Sequence, residues 1–179
     1  MNVMVDKSPL APKVFPSMPV ISGVRLAVGT TEIKYQGRND MMIAQLVSGT
    51  TVAGVYTRSL TASAPVEWCR KALGGGQAEA LVVNSGNANA FTGKAGDASV
   101  KRTVEATAAL FSCCPSKVFV ASTGVIGEPL PDEKLTAILP TVQEALDENN
   151  WEKAAQSILT TDTFAKGASC TADIGGTLV

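Results

Sequence analysis

Short apolar runs alternate with amphipathic helical stripes along this chain, and that alternation constrains its fold more than any other feature. Residues 78–84 and 117–121 are mostly apolar runs of strand length. Between them, residues 100–111 carry an apolar stripe at helical spacing. The stripe consists of Val100, Val104, Ala108 and Phe111. Alternating strands and helices with little linker composition between them predict a layered α/β fold.

Turn residues and prolines delimit the other elements of the first two thirds of the chain. We predict short strands at residues 33–35, 42–46 and 52–56, because Gly, Asn and Asp separate these β-favouring runs. Asp97 is predicted to begin the helix that carries the stripe, and Pro115 to close it.

Two further helices and a terminal strand are predicted in the last third. One helix follows Pro131, and Pro140 is expected to kink it or divide it in two. Another helix covers residues 151–159. Residues 169–179 have the pattern of a strand with a turn at two adjacent glycines.

We expect residues 1–179 to form a single α/β domain with an extended N-terminal arm at about residues 1–20. The arm is predicted because prolines at this density block a helix. These are Pro9, Pro12, Pro16 and Pro19. The residue pattern leaves open whether residues 1–57 pack as part of the same domain. The last pattern stops at Val179 without a cap or a polar tail, which is typical of a chain that was cut.

Charge and hydropathy exclude two classes of partner. Sixteen acidic and fifteen basic residues give a formal net charge of -1. Because Lys and Arg are not gathered into a stripe, nucleic acid is not predicted as a partner. The apolar runs fall far short of the roughly 20 residues of a membrane-spanning helix, and the N-terminus lacks a secretory signal pattern. The sequence therefore predicts a cytoplasmic protein without membrane contact.

The absence of histidine limits the chemistry further. The sequence contains no His, so a Ser-His-Asp or Cys-His site cannot be built from this chain alone. No cofactor or metal site is predicted, because the four cysteines also lack a CxxC spacing. We interpret them as free thiols. They are Cys69, Cys113, Cys114 and Cys170.

The first candidate site is Ser122-Thr123-Gly124, where a predicted buried strand ends. A Thr hydroxyl and an adjacent Gly N–H can point at one small volume, as two donors to a developing oxyanion must. The tripeptide alone is more typical of an ordinary turn between a strand and a helix.

Two other polar segments are candidates. Residues 160–163 follow the last predicted helix, and their hydroxyls and carboxylate suit either an amino-acid ligand or the end of the helix. Residues 84–89 could bind an anion through amides and exposed backbone, but they match no nucleotide-binding pattern, and taken alone they are interpreted as a loop.

Taken together, these segments resemble the N-terminal (α) part of the ornithine acetyltransferase family, also called bifunctional glutamate N-acetyltransferases of arginine biosynthesis. The resemblance covers nearly the whole chain. It is carried by Pro9-Leu10-Ala11-Pro12-Lys13, Gly23-Val24-Arg25, Ile33-Lys34-Tyr35, Val55-Tyr56-Thr57-Arg58, Asn84-Ser85-Gly86-Asn87-Ala88-Asn89-Ala90, Ser122-Thr123-Gly124-Val125-Ile126-Gly127 and Thr160-Thr161-Asp162-Thr163.

The resemblance implies the family's layered sheet-and-helix fold and a precursor that cleaves itself before an internal Thr. That Thr becomes the first residue of a β chain and acts as the nucleophile, with its own α-amine as the general base. It takes the acetyl group from N-acetylornithine and passes it to glutamate in a ping-pong reaction. The resemblance also implies acetyl-CoA as a donor in some members, and an assembly of two α and two β chains.

Three residues of this chain take roles from the resemblance. Thr123 and Gly124 match the oxyanion-hole pair, and Thr160 matches a substrate-contacting position. The family's nucleophile would follow Val179, so we expect residues 1–179 to be an incomplete α chain that is active only with its β chain.

Two rival functions stay open at this point. A self-cleaving aminopeptidase or amidohydrolase would resolve the acyl-enzyme with water, because a fold does not fix the acceptor. An inactive, truncated chain that only binds a partner is the other rival.

Overall fold

A four-stranded sheet forms the centre of the molecule, described here for residues 7–179 in a computed structural model. Its strands are β1 (Val24–Gly29), β2 (Met41–Leu46), β3 (Ala80–Asn87) and β4 (Val118–Val125), which lie side by side in that order. The pairs β1–β2 and β2–β3 are antiparallel, whereas β3 and β4 are parallel. The predicted α/β class is confirmed.

Four α-helices accompany the sheet. They are α1 (Ala64–Ala72), α2 (Gly93–Phe111), α3 (Asp132–Glu144) and α4 (Trp151–Ser157). Short 3₁₀ turns at Leu73–Gly75 and Pro115–Lys117 follow α1 and α2. An exposed hairpin of β5 (Asp173–Ile174) and β6 (Thr177–Leu178) ends the chain. Helix α2 is the crossover that parallel strands such as β3 and β4 require.

The main core lies between one face of the sheet and the helices α1 to α3. Ile43 and Val118 of the sheet and Val104 and Leu135 of the helices are almost fully buried there. Each such side chain contributes about 2 kcal/mol by leaving water. A smaller cluster on the opposite face joins β1 and β2 to Ala154 of α4. The two faces therefore carry different helices, and α4 stands alone on its side.

Helix α1 covers the outer edge of β4, which would otherwise be open. The indole Nε1 of Trp68 donates to the carbonyl of Val118 at 2.9 Å. The Cys69 Sγ lies 3.2 Å from the carbonyl oxygen of Val120 and 3.4 Å from its nitrogen. This helix was not predicted, although Pro65 near its first turn is a typical start signal.

Two predicted strands do not form. Residues 33 and 34 form a bend and residue 35 is irregular, because the buried carboxylate of Asp40 accepts the N–H of Thr31 at 2.6 Å and that of Ile33 at 3.2 Å. These two donors are thereby held in a loop. Residues 52–56 are irregular, and Val55 is 98% exposed. The strand at residues 42–46 is confirmed, and β1 is an addition to the predicted set.

The helix predictions are correct in place but not in every boundary. Helix α2 begins at Gly93 rather than Asp97, because Asn89 holds the added turn by donating to the Gly96 carbonyl at 3.2 Å. Helix α3 is one helix, so Pro140 does not divide it; this proline is exposed, where water can satisfy the freed carbonyl.

The two ends of the chain follow the predicted patterns in part. The turn at Gly175 and Gly176 is confirmed, between two-residue strands. Residues 7–20 contain neither helix nor strand, and residues 1–6 of the predicted arm lie outside the described part. Within residues 7–179, no helix is long and apolar enough to cross a membrane.

Candidate functional site

The carboxyl ends of β3 and β4 lie side by side and carry the first candidate segment. Parallel strands end at the same edge of a sheet, which is where α/β folds place their sites. In the observed register Ser85 pairs with Thr123 and Gly86 with Gly124. Thr123 and Gly124 are therefore the last part of a strand, not the turn between strand and helix that the sequence suggested.

Gly124 brings the two strands unusually close. Its φ of +136° is a conformation that side-chain-bearing residues rarely adopt. A Cβ added to it would lie 2.3 Å from the carbonyl carbon of Gly86 and 2.6 Å from the nitrogen of Asn87. The peptide units of the two strands therefore touch at this point, and no other residue fits there.

The Thr123 side chain projects toward the face of the sheet that carries α4. Its register partner Ser85 donates its hydroxyl to the carbonyl of Ser157 in α4, at 2.7 Å. Paired residues on neighbouring strands project to the same face. The Thr123 side chain is half-buried, and no hydrogen bond of its hydroxyl is found within residues 7–179.

The backbone N–H of Gly124 points to the outer edge of β4. Backbone groups of alternate residues in a strand face opposite edges. The Val125 carbonyl accepts from Ala88 on the β3 side, whereas the N–H and carbonyl of Val120 face Cys69 on the outer side. By this alternation Gly124 faces outward, and it is exposed. By this reasoning the Thr123 hydroxyl lies on the α4 face at the end of β4, and the Gly124 N–H lies at the outer edge of the same strand end.

Thr160 lies near the same strand ends, three residues after α4 ends at Ser157. The Arg38 guanidinium donates both to the carbonyl of Leu159 and, at 3.3 Å, to the hydroxyl of Ser85. Because Ser85 pairs with Thr123, this contact brings the segment of Thr160 to the end of β3 and β4. Thr160 is half-buried, and its hydroxyl has no partner in the part of the chain described.

The amide loop at residues 84–89 does not form an anion site. The Asn84 amide donates to the Asn87 carbonyl at 2.8 Å, and the Asn87 amide donates to the Glu128 carbonyl at 3.0 Å. The amide of Asn89 donates to the hydroxyl of Ser99 at 3.1 Å. All three asparagines are buried, so their amides hold the loop and start α2 rather than face solvent.

The loop between β1 and β2 covers the strand ends, and sequence reasoning gave it no role. The Cβ of Lys34 would lie 2.8 Å from a Cβ added to Gly86. The Lys34 ammonium is 3.9 Å from the Glu128 carboxylate, and both side chains are about half exposed. The Arg38 guanidinium stacks on Tyr35, 4.1 Å from the ring centroid. The signal was Ile33-Lys34-Tyr35, which the resemblance included without assigning a function.

Two of the cysteines, Cys69 and Cys113, have surroundings that disfavour a thiolate. All four are free, which confirms the prediction. Burial raises the pKa of the Cys69 thiol. Burial also raises the pKa of the Cys113 thiol, and the negative charge of Glu79 is a second, smaller cause. Raised pKa values keep both groups protonated near neutral pH. Within residues 7–179, no cluster of three His, Cys, Asp or Glu side chains could hold a metal ion.

The sequences of several relatives align with nearly the whole of this chain. The family described as "ArgJ family" matches residues 25–179. The arginine biosynthesis bifunctional protein ArgJ of Bradyrhizobium diazoefficiens is 52% identical over 168 residues, which cover 94% of this chain and 41% of that protein. The protein of the same name from Gluconobacter oxydans is 51% identical over 172 residues, covering 96% and 40%. The chain thus spans about two fifths of the length of these curated relatives.

Solved structures share its fold. The ornithine acetyltransferase of Mycobacterium tuberculosis, solved in complex with ornithine, matches with a TM-score of 0.76 and 33% identity, over 88% of this chain and 93% of that chain. The arginine biosynthesis bifunctional protein ArgJ of Bacillus halodurans matches with a TM-score of 0.71 and 28% identity, over 88% and 83%. On its sequence and its fold, this chain belongs to the ArgJ family.

Proposed function

We propose that this chain is the α part of an enzyme of arginine biosynthesis that moves the acetyl group of N-acetylornithine to glutamate. The products are ornithine and N-acetylglutamate. The names of its relatives support the pathway, and the solved relative that binds ornithine supports the substrate class.

The observation that carries this proposal is the pair of donors at the end of β4. No hydrogen bond of the Thr123 hydroxyl is found within residues 7–179, and strand alternation places the N–H of the next residue, Gly124, on the side away from β3. Two such donors beside a reacting carbonyl stabilise the negative charge on its oxygen, and losing one typically costs about 3 kcal/mol of transition-state stabilisation.

The nucleophile in this proposal is the N-terminal Thr of a β chain cut from the same precursor. Two observations support a second chain. This chain contains no His to activate a hydroxyl, whereas an N-terminal Thr supplies its own amine as the base. The chain also covers 93% of the solved ornithine acetyltransferase chain but only 41% of its curated relative, as expected if one precursor gives two chains.

The first half-reaction forms an acetyl-enzyme. The Thr hydroxyl attacks the acetyl carbonyl carbon while its proton passes to the α-amine, and the carbonyl oxygen becomes the oxyanion that Thr123 and Gly124 stabilise. The C–N bond then breaks, and the α-amine returns the proton to the departing ornithine nitrogen. An acetyl ester on the Thr remains.

The second half-reaction runs through the same oxyanion site. The amine of glutamate attacks the ester carbonyl and gives a proton to the α-amine, and a second tetrahedral oxyanion forms at Thr123 and Gly124. The C–O bond of the ester then breaks, and the α-amine passes the proton to the departing Thr oxygen. Thr160, in the segment joined to Ser85 through Arg38, contacts the substrate in this scheme. The two donors thereby serve both halves of the ping-pong cycle.

Assembly and donor range complete the proposal. We assign the enzyme an arrangement of two α and two β chains, and acetyl-CoA as a second acetyl donor. The word "bifunctional" in the names of the relatives supports two activities in one protein. No cofactor takes part in this scheme.

Intact-mass measurement and N-terminal sequencing of the purified full-length protein test the proposal first. We expect two polypeptides, one of which begins with Thr, and loss of N-acetylornithine that depends on glutamate. Acetate released without glutamate would show a hydrolase instead. A single uncut polypeptide without acetyl transfer would leave only a role in binding a partner.

A further inference from the structure

Arg38 lies between the two parts of the candidate site without being one of its donors. It belongs to the loop that joins β1 to β2, and its side chain is half-buried. Its Nη2 donates to the Ser85 hydroxyl at 3.3 Å and to the carbonyl of Leu159, the residue before Thr160. One guanidinium thus bridges the register partner of Thr123 and the segment of Thr160.

The bridge acts on a short piece of chain. Helix α4 has only seven residues, and Thr160 follows its end without regular structure. Two side chains outside α4 hold the end of this helix. Ser85 of β3 donates to the Ser157 carbonyl at 2.7 Å, and Arg38 of the loop between β1 and β2 donates to the Leu159 carbonyl. A cation at the carbonyl end of a helix is also favoured by the helix dipole.

The environment of the guanidinium suits Arg and not Lys. It stacks on the Tyr35 ring with its Cζ 4.1 Å from the ring centroid. A planar fork can stack and donate to two acceptors at once, whereas a Lys ammonium is a point charge at the end of a flexible stem. The Nε of Arg38 is buried without a partner within residues 7–179, so this placement carries a cost that its other contacts must offset.

We propose that Arg38 is a positioning residue that fixes the distance between Thr160 and Thr123, and so aligns the bound substrate with the oxyanion donors. The inference rests on the proposed function. Arg38 does not contact the reacting atoms; it acts through Thr160. A displacement of about 1 Å at such a site can cost as much as 10²-fold in rate.

A double-mutant cycle in the full-length protein tests this role. We expect Arg38→Met to lower kcat/KM for N-acetylornithine about tenfold or more, mainly through kcat, because the bound substrate is then misaligned with the oxyanion donors. In a Thr160→Val background the same change should cost less than about threefold, because the contact through which Arg38 acts is already gone. Equal losses in both backgrounds would overturn the proposal.

Arg25 provides a matched control at the other end of the sheet. Its guanidinium also donates to a backbone carbonyl, that of Leu146 at 2.8 Å, and to a side chain of the neighbouring strand, Gln45 at 3.4 Å. We expect Arg25→Met to stay within about twofold of the wild-type kcat/KM. If Arg38→Met fails to fold, Arg38→Lys replaces it in the cycle, because it keeps the charge but loses the fork.

Hydrogen exchange separates this inference from the proposed function, since it needs no activity. In the full-length protein, Arg38→Met should speed amide exchange in a peptide spanning residues 158–164 at least about fivefold, whereas Arg25→Met should not. Unchanged exchange there would overturn the role of Arg38. A wild-type protein without acetyl transfer would refute the proposed function alone, and the exchange result would still decide whether Arg38 holds the segment.

Discussion

Ser122 and Thr123 are adjacent in β4, yet their hydroxyls lie on opposite faces of the sheet and differ in hydrogen bonding. The Ser122 hydroxyl donates to the Asn84 Oδ1 at 2.6 Å, on the core side of the sheet. The Thr123 hydroxyl, on the other face, has no partner within residues 7–179. One hydroxyl therefore makes an internal hydrogen bond, whereas none is found for its neighbour within residues 7–179.

This difference predicts that two substitutions change the free energy of unfolding by different amounts. Ser122→Ala removes a donor from the amide oxygen of Asn84, a residue only 3% exposed, and should lower the free energy of unfolding by about 1–2 kcal/mol. Thr123→Val keeps the side-chain shape and should change it by less than about 0.5 kcal/mol. Urea unfolding of both variants measures this. A larger loss for Thr123→Val than for Ser122→Ala would contradict the hydrogen-bond assignment.

Gly124 is predicted to tolerate no side chain. Gly124→Ala places a methyl group 2.3 Å from a backbone carbon of Gly86 and keeps a φ of +136°. Gly127→Ala is the matched control, since Gly127 also has a positive φ of +84° but has open space around its added Cβ. The control should cost about 1–3 kcal/mol from backbone strain alone, and Gly124→Ala should cost more. Equal thermal midpoints of the two variants would show that β3 and β4 are not in close contact.

The ion pair between Arg102 and Asp132 is predicted to hold α2 against α3. The guanidinium donates to both carboxylate oxygens, at 2.7 Å and 2.6 Å, and the Asp132 side chain is only 6% exposed. Arg102→Met leaves that carboxylate buried without its cation, and should lower the melting temperature. Lys101→Met removes only an exposed pair with Glu105 at 3.8 Å, and should leave it nearly unchanged. Similar melting temperatures for the two variants would contradict this account.

The pair of Glu79 and Lys117 predicts how stability depends on pH in acid. The hydrogen bond from Lys117 lowers the pKa of Glu79 below its ordinary value of 4.5. A carboxyl group with a lowered folded-state pKa stabilises the fold above its unfolded-state pKa, and this stabilisation is lost as pH falls through the folded-state value. The melting temperatures of wild type and Glu79→Gln should therefore differ at pH 6 and converge at low pH, at roughly pH 3 and below.

The same pair acts in the opposite direction in alkali. The hydrogen bond to Glu79 raises the pKa of Lys117 above 10.5, so its contribution is complete below that value and is lost as pH rises through the folded-state pKa.

Glu105→Gln is the control for the acid experiment, since the exposed carboxylate of Glu105 lies 3.8 Å from Lys101. If the melting temperatures of wild type and Glu79→Gln differed by the same amount at every acid pH, the lowered pKa of Glu79 would not contribute to stability.

Local patterns were enough to predict part of this structure. The apolar stripe of α2 and the runs that became β3 and β4 depend on nearest neighbours and on a period, both of which are visible in the residues. The same runs place Thr123 and Gly124 near the end of β4, although the predicted strand stopped at residue 121 and the observed one continues to Val125. Their roles in the reaction came from the resemblance and stay predictions.

The features that could not be predicted depend on contacts between residues far apart in the sequence. Arg38 is separated from Ser85 by 47 residues and from Leu159 by 121, and no local pattern links them. The absence of a strand at residues 33–35 also depends on a side chain, the buried Asp40 that takes two of the backbone donors. Tertiary contacts therefore override strand propensity in the loop that covers the site.

The most direct test of the central claim is the rate of ornithine release from N-acetylornithine, with glutamate present, by full-length proteins that carry changes at Thr123. We predict that Thr123→Val lowers kcat about 10²-fold or more at an unchanged melting temperature, while Thr123→Ser, which keeps the hydroxyl, stays within about tenfold of wild type. A wild-type kcat in a folded Thr123→Val enzyme would contradict the account, because the hydroxyl that the structure leaves unpartnered would then have no part in the reaction.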